Sequence, residues 1–237
     1  MRENDFAQVL GDEYKLLHFA YPHHDDFQKT VAETIASYFS DSKQEEIKVI
    51  EGGAGSGVTT SFLLKADPRI KVSAVDSAAK MLEQAKQILS EYSSRIVFEL
   101  DDLLSYIQKQ ENSSFDVFVA VWTIHNLQPE YRKDLFREIY RVLKPNGLFV
   151  SGDKYSVDDE VLHKSQLETQ LERFKEFSAT GNTKLADDWV KHNLEDEKIR
   201  ITEKEQISML QNAGLSSTEV VYRKDMEAVI KAVKKND

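Results

Sequence analysis

From about residue 47 onward the chain alternates between two kinds of segment. Short runs dense in β-branched and aromatic residues are followed by longer runs whose apolar positions recur every three or four residues. The strand-like runs are IKVIE (47–51), KVSAVD (71–76), RIVFEL (95–100), FDVFVAV (115–121) and GLFVSG (147–152). Between them, 57–66, 78–92, 102–110 and 129–143 carry helical spacing. Strands separated by helices of this length predict parallel βαβ units with right-handed crossovers. The last of these helices meets Lys144-Pro145-Asn146-Gly147, where proline cannot continue a helix and glycine accepts the left-handed turn.

The pattern changes towards the end. A helical run, TEKEQISMLQNAG (202–214), has Thr202 and Glu205 at capping-box spacing and Gly214 placed as its C′ residue. Two strand-like runs follow, 216–223 and 226–234, with only Lys224 and Asp225 between them. That gap is too short for a crossover helix, so the pair predicts an antiparallel hairpin. The expected fold is α/β, a seven-stranded, mostly parallel sheet with one antiparallel strand.

Two segments stand outside the alternation. Residues 1–46 read as a helical N-terminal lid, with Asp25 and Gln28 spaced to cap FQKTVAETIASYF. Residues 47–237 form the main domain, with a polar helical insert at about 155–195. Open α/β sheets bind ligands at the carboxyl ends of their strands. The insert leaves from that end and is expected to cover the site.

Composition narrows the classes. At 237 residues and 41% hydrophobic positions, the chain is long enough for one domain with a lid. A formal net charge of −10 disfavours nucleic acid and anionic membrane surfaces, which attract basic faces. The absence of cysteine excludes disulfides, thiolate metal ligands and cysteine nucleophiles. No apolar run reaches membrane-spanning length, and MRENDFAQVL lacks a signal pattern, so a cytoplasmic location is expected. Composition leaves the oligomeric state open, a homodimer included.

The densest chemical signal is VIEGGAGSGVTT (49–60), with four glycines in six positions. A phosphate-binding G-x-x-x-x-G-K-[ST] loop fails because Val58 stands where lysine is required. A dinucleotide G-x-G-x-x-G/A turn fails at the same residue, where a small side chain must let helix and strand approach. The pattern that does fit is Glu51-Gly52-Gly53-Ala54-Gly55-Ser56-Gly57, acidic-x-Gly-x-Gly-x-Gly.

This resembles the first motif of class I S-adenosylmethionine-dependent methyltransferases, whose fold is Rossmann-like. The resemblance implies that Glu51, Gly52, Gly53, Ala54, Gly55 and Gly57 receive the amino-acid and ribose part of S-adenosylmethionine. Asp76, which ends the second strand, matches the acidic residue that accepts the ribose hydroxyls. Read without the family, it is equally a helix N-cap. Ser77 and Met81 would line ribose and adenine, and Asp101, Asp102 and Leu103 the adenine edge. After the fourth strand, AVWTIHNL puts Val121 and Trp122 under the methionine portion and His125 near the cofactor's tail. EIYRVLKPNGLFVSG matches the family's R-x-L-K-P-G-G stretch, with Asn146 in place of the first glycine.

Methyl transfer from a sulfonium is a direct displacement with a neutral leaving group, so it needs positioning more than a dedicated base. His125, His24, Asp153 and Tyr155 are the candidates where a base is used. Tyr14, Tyr21, His24, Tyr155 and Arg200 are candidate acceptor contacts, and Trp189 and Phe174 candidate walls or packing residues. His23, His24, Asp25 and Asp26 are consecutive at a helix start and diverge, so no metal site is expected there. The expected partner is a small-molecule acceptor.

A narrower similarity, over HHDDFQ, DKYS and HNLEDEKIRITEKEQISMLQNAG, is to carboxy-S-adenosylmethionine synthases. It implies an arginine, here Arg200, on the added carboxylate. A non-catalytic cofactor-binding protein remains open, as does an NAD-linked oxidoreductase weakened at Val58.

Overall fold

The computed structural model describes residues 12–235. Strands β1 (Ile47–Gly52), β2 (Ile70–Asp76), β3 (Ile96–Leu100), β4 (Phe115–Val121), β5 (Leu143–Lys154), β6 (Leu215–Lys224) and β7 (Glu227–Lys234) form one sheet. Their order is β3-β2-β1-β4-β5-β7-β6. β1 to β5 pair in parallel, while β7 runs antiparallel to both β5 and β6. The mostly parallel sheet with one reversed strand is as expected.

Buried strands alternate their side chains between the two faces. Val117 and Val119 join Val49 and Val72 in a cluster with Phe27, Val31 and Leu63. Phe118 and Ala120 point the other way, into a cluster with Ile50, Phe149, Leu135 and Phe136. The first cluster is covered by α2 (His24–Tyr38), α3 (Val58–Ala66) and α4 (Ala79–Ile88). The second is covered by α5 (Leu103–Gln108), α6 (Pro129–Val142) and α9 (Glu203–Asn212).

α1 (Asp12–Ala20), α7 (Glu160–Phe177) and α8 (Thr183–Asp196) add a smaller cluster of Leu16, Ala20, Tyr21, Phe174 and Phe177. The insert is therefore helical, as its composition indicated, and it packs on the N-terminal helix. Among the described residues no helix is long and apolar enough to cross a membrane.

Four local readings change. β5 begins at Leu143, not 147; the pairing jumps from Phe115↔Leu143 to Val117↔Leu148, so Pro145 and Asn146 bulge out of the ladder. Pro145 has no N–H to donate, and Asn146 takes a φ of 59°. The hairpin turns at Asp225 and Met226, because Lys224 still pairs with Glu227. The helix from residue 78 gives way after Ile88 to a 3₁₀ segment, Ser90–Arg95.

Asp25 and Gln28 do not cap α2, whose N-cap is His23 without a side-chain bond. Asp25 instead meets the His24 ring (2.7 Å), and buried Gln28 accepts a hydrogen bond from Thr59 in α3 (2.8 Å). By contrast the Thr202–Glu205 capping box forms, and Gly214 has a φ of 103°.

Candidate functional site

β1 lies between β2 and β4, which connect to opposite sides of the sheet, so its carboxyl end opens a crevice. The glycine turn fills that end. Gly53, Gly55 and Gly57 have φ of 67°, 53° and 85°, backbone that side chains rarely adopt. A Cβ on Gly53 would come within 2.3 Å of the Thr123 hydroxyl, and one on Gly57 within 2.6 Å of Leu89. The N–H groups of Gly53 and Ala54 donate to the carbonyl of Val75 at 2.9 and 3.0 Å, pinning the turn to β2.

The acidic residues at the strand ends are already engaged. Glu51 is fully buried and accepts a hydrogen bond from the Thr60 hydroxyl (2.6 Å). Burial pushes its carboxyl up to about 8, against the pull of that bond. Asp76 accepts from the Gly55 N–H (2.7 Å) and the Ala78 N–H (2.8 Å), so it shapes both the glycine turn and the start of α4. Ser77 is exposed beside it.

After β3, Asp101 pairs with Lys109 (2.5 Å). Asp102 caps α5 through the Ser105 N–H and accepts from the Tyr131 hydroxyl (2.9 Å). Leu103 is buried beneath Gly52, where an added Cβ would meet its Cδ2 at 2.7 Å.

A cavity runs from the glycine turn (Gly53 to Ser56, with Met81) past Val121 and Trp122 to the helices that cover it. Trp122 has a φ of 48° and stacks on Phe27 at 5.3 Å, with Tyr21 at 5.1 Å and His24 at 5.3 Å. A strained residue at the crevice mouth is held there by this aromatic packing. Tyr21 and His24 line the cavity, and burial raises the Tyr21 phenol well above its ordinary range. Of the insert's aromatics, Trp189 lines the cavity while Phe174, fully buried, stacks behind it at 5.8 Å.

His125 also reaches the cavity. Its Nδ1 lies 2.5 Å from Oδ1 of Asp153, a buried carboxylate at the end of β5 that also accepts from the Ile124 N–H (2.8 Å). Arg132 braces the turn from behind by donating to the carbonyls of Ile124 (3.0 Å) and His125 (2.7 Å). Asp153 thus positions the imidazole and does not itself line the cavity.

Three sequence expectations require correction or restriction. Tyr155 is fully buried on the far cluster, its hydroxyl held by Ser151 (3.2 Å) and Gln206 (2.6 Å), and it does not line the cavity. Arg200 pairs with Glu160 (2.5 Å) and Glu197 (3.7 Å) outside the cavity, because the short helix before it turns the guanidinium towards α7. Tyr14 belongs to α1, but its side chain lies outside the described residues.

The sequence reading missed Gln28, Lys154, His192, Asn193 and Asp196, all of which line the cavity. Lys154 is buried, with its Nζ donating to Asn193 (3.1 Å), and desolvation lowers its pKa against the attraction of Glu197 and Asp196. A signal was present for the α8 group. Positions 189, 192, 193 and 196 share one helical face, and His192 and Asp196 are one turn apart.

Residues 49–147 match the family model of a methyltransferase domain. The carboxy-S-adenosyl-L-methionine synthase of Nautilia profundicola is 25% identical over 221 residues, 93% of this chain and 88% of that protein. Its Campylobacter lari counterpart is 28% identical over 182 residues, 76% and 74% respectively. Among solved structures, a 1,6-didemethyltoxoflavin-N1-methyltransferase from Burkholderia thailandensis, with S-adenosylhomocysteine bound, superposes with a TM-score of 0.59 at 16% identity. That match covers 100% of this chain and 92% of the other. The DszA carbon methyltransferase gives a TM-score of 0.64 at 17% identity, covering 90% of this chain and 55% of that longer one.

Proposed function

Because the chain belongs to the class I S-adenosylmethionine-dependent methyltransferases, we propose that it methylates a small molecule held between the glycine turn and α8. One observation carries this reading: a single cavity joins a glycine turn, crowded for a Cβ at Gly53 and open beside Gly55, to a polar arc of His125, His192, Asn193 and Asp196. The bound cofactor supplies a methyl group on a positive sulfur.

The chain's own residues do the rest. Bare backbone at Gly53 to Gly57 admits the cofactor's amino-acid and ribose portion, and Glu51 lies beneath it as a counter-charge for an ammonium group. Asp76, once released from the Gly55 N–H, offers both oxygens to the ribose hydroxyls. Met81 and Val121 supply apolar contact, and Tyr21, Trp122 and Trp189 exclude water from the transfer path. A concave cavity walled by Tyr21, Trp122 and Trp189 suits a small acceptor.

Calorimetry with S-adenosylmethionine, followed by transfer of a labelled methyl group to a panel of small oxygen, nitrogen and sulfur nucleophiles, tests the proposal. A flat titration would overturn it.

Lys154 favours one second reading. It is the one Lys or Arg lining the cavity among the described residues, and an ammonium there suits a carboxylate. Relatives named carboxy-S-adenosyl-L-methionine synthase align with most of the chain. Mass spectrometry separates the two readings, since a carboxylated cofactor and a methylated acceptor are different products. Cofactor binding with neither product would mark a non-catalytic binding protein.

A further inference from the structure

Where the cavity meets α8, two imidazoles and a carboxylate converge. Nε2 of His125 lies 3.7 Å, and Nε2 of His192 3.5 Å, from Oδ2 of Asp196. One donor atom from each residue falls within 4.8 Å of the other two. These separations are too long for hydrogen bonds. They approach the spacing of neighbouring ligands around one small ion, since atoms about 2.0–2.2 Å from a tetrahedral metal lie roughly 3.3–3.5 Å apart.

Two further observations point to a ligand there. Oδ2 of Asp196 is buried with no hydrogen-bond partner, although the residue is only 8% exposed. A carboxylate oxygen removed from water without a partner is costly, and a cation between it and the imidazoles would offset that cost. In addition, the Asp153 carboxylate holds Nδ1 of His125, which leaves the Nε2 lone pair for the cavity. A carboxylate behind the imidazole is the usual support of a metal-binding histidine. Among the described residues Lys154 is the one Lys or Arg lining the cavity, and Glu197, Asp196 and Asp153 all attract its ammonium.

We propose that His125, His192 and Asp196 bind one divalent transition-metal ion of the zinc class at the acceptor end of the cavity. Two imidazoles with one carboxylate select such ions over magnesium or calcium, which prefer oxygen ligands. Asn193 does not complete the set, because its Oδ1 accepts from Lys154 and its Nδ2 donates to the Trp189 carbonyl. The remaining coordination positions therefore face the cavity.

Resting on the methyltransferase reading, the acceptor is a hydroxyl or thiol compound that enters one of those positions. Metal ligation lowers its pKa, its proton passes to water, and the freed lone pair is the nucleophile. The new bond to carbon forms as the carbon–sulfur bond of the cofactor breaks, leaving a neutral thioether.

The second imidazole cluster, His18, His24 and Asp25, is the internal control. There Asp25 is 55% exposed and already hydrogen-bonded to His24 at 2.7 Å.

Chelator-treated full-length protein is titrated with cobalt(II), read by its visible absorption and by calorimetry, without cofactor. The expected result is one ion per chain, with affinity reduced at least tenfold in His192→Ala and in Asp196→Ala, and about 10–100-fold in Asp153→Asn. Asp25→Asn is expected to bind as the parent does. His192 is half-exposed, so its substitution is expected to leave the fold intact, which circular dichroism of the variant checks. Absence of cobalt binding, binding unchanged in both His192→Ala and Asp196→Ala, or loss confined to Asp25→Asn overturns the proposal. Calorimetry with S-adenosylmethionine on the same samples reports separately on the methyltransferase reading.

Discussion

The Thr60 hydroxyl, in the first turn of α3, donates to Glu51 beneath the glycine turn at 2.6 Å, and that bond does not compensate for burial. The Glu51 carboxyl is raised from 4.5 to about 8, so the folded protein keeps a proton there that the unfolded chain releases. The stabilisation from that retained proton is complete below about pH 4.5 and is lost as pH rises towards 8. Urea denaturation of the parent and of Glu51→Gln across this window should diverge by on the order of 4–5 kcal/mol, the parent losing stability with rising pH and the variant not.

The same group predicts a proton signal on ligand binding. An ammonium placed near Glu51 favours its ionised form and displaces the proton held at neutral pH. Calorimetry with S-adenosylmethionine in buffers of different ionisation enthalpy should register proton release near pH 7. Glu51→Gln should show none.

Gly53→Ala should fail at the turn. Its φ of 67° alone costs about 1–3 kcal/mol for a residue with a side chain, and the methyl group would strike Thr123. The expected outcome is a lower unfolding midpoint and at least tenfold weaker cofactor binding, measured by thermal denaturation and calorimetry.

Phe174→Ala tests how the covering helices are held. The ring is fully buried against Tyr21 (6.0 Å) and Trp189 (5.8 Å), so its removal should cost about 3–5 kcal/mol locally. Hydrogen exchange should accelerate in α1, α7 and α8 while β1 to β5 keep their protection. Uniform acceleration across the sheet would show that the covering helices do not open on their own.

Arg200→Ala should change little. Its partner Glu160 is 70% exposed, and ion pairs in that setting contribute about 0–1 kcal/mol. Cofactor affinity should stay within twofold, whereas Lys154→Met, which removes the buried ammonium, should alter acceptor selectivity.

The sheet was legible because its strands are short, apolar and punctuated, and each punctuation mark has a local cause. Thr202, Glu205 and Gly214 act within a few residues of themselves, and the glycine turn announces itself by excluding Cβ atoms. Contacts made across the fold were not legible. Asp25 and Gln28 have capping spacing, yet Thr59 lies close enough to claim Gln28. Arg200 has the charge an anion site wants, yet Glu160 draws it outward. Nothing local marks Asp196 and His192, whose meeting with His125 depends on where α8 lies over the sheet.

Trp189, His192, Asn193 and Asp196 all come from one continuous stretch between β5 and β6, whereas the glycine turn belongs to the β1–α3 junction. On the proposed reading, the α8 side of the acceptor pocket and the turn facing the donor come from different portions of the chain, with His125, Lys154 and Tyr21 completing the pocket from elsewhere. Exchanging α8 alone should then shift which acceptor is taken while leaving the glycine turn as it is.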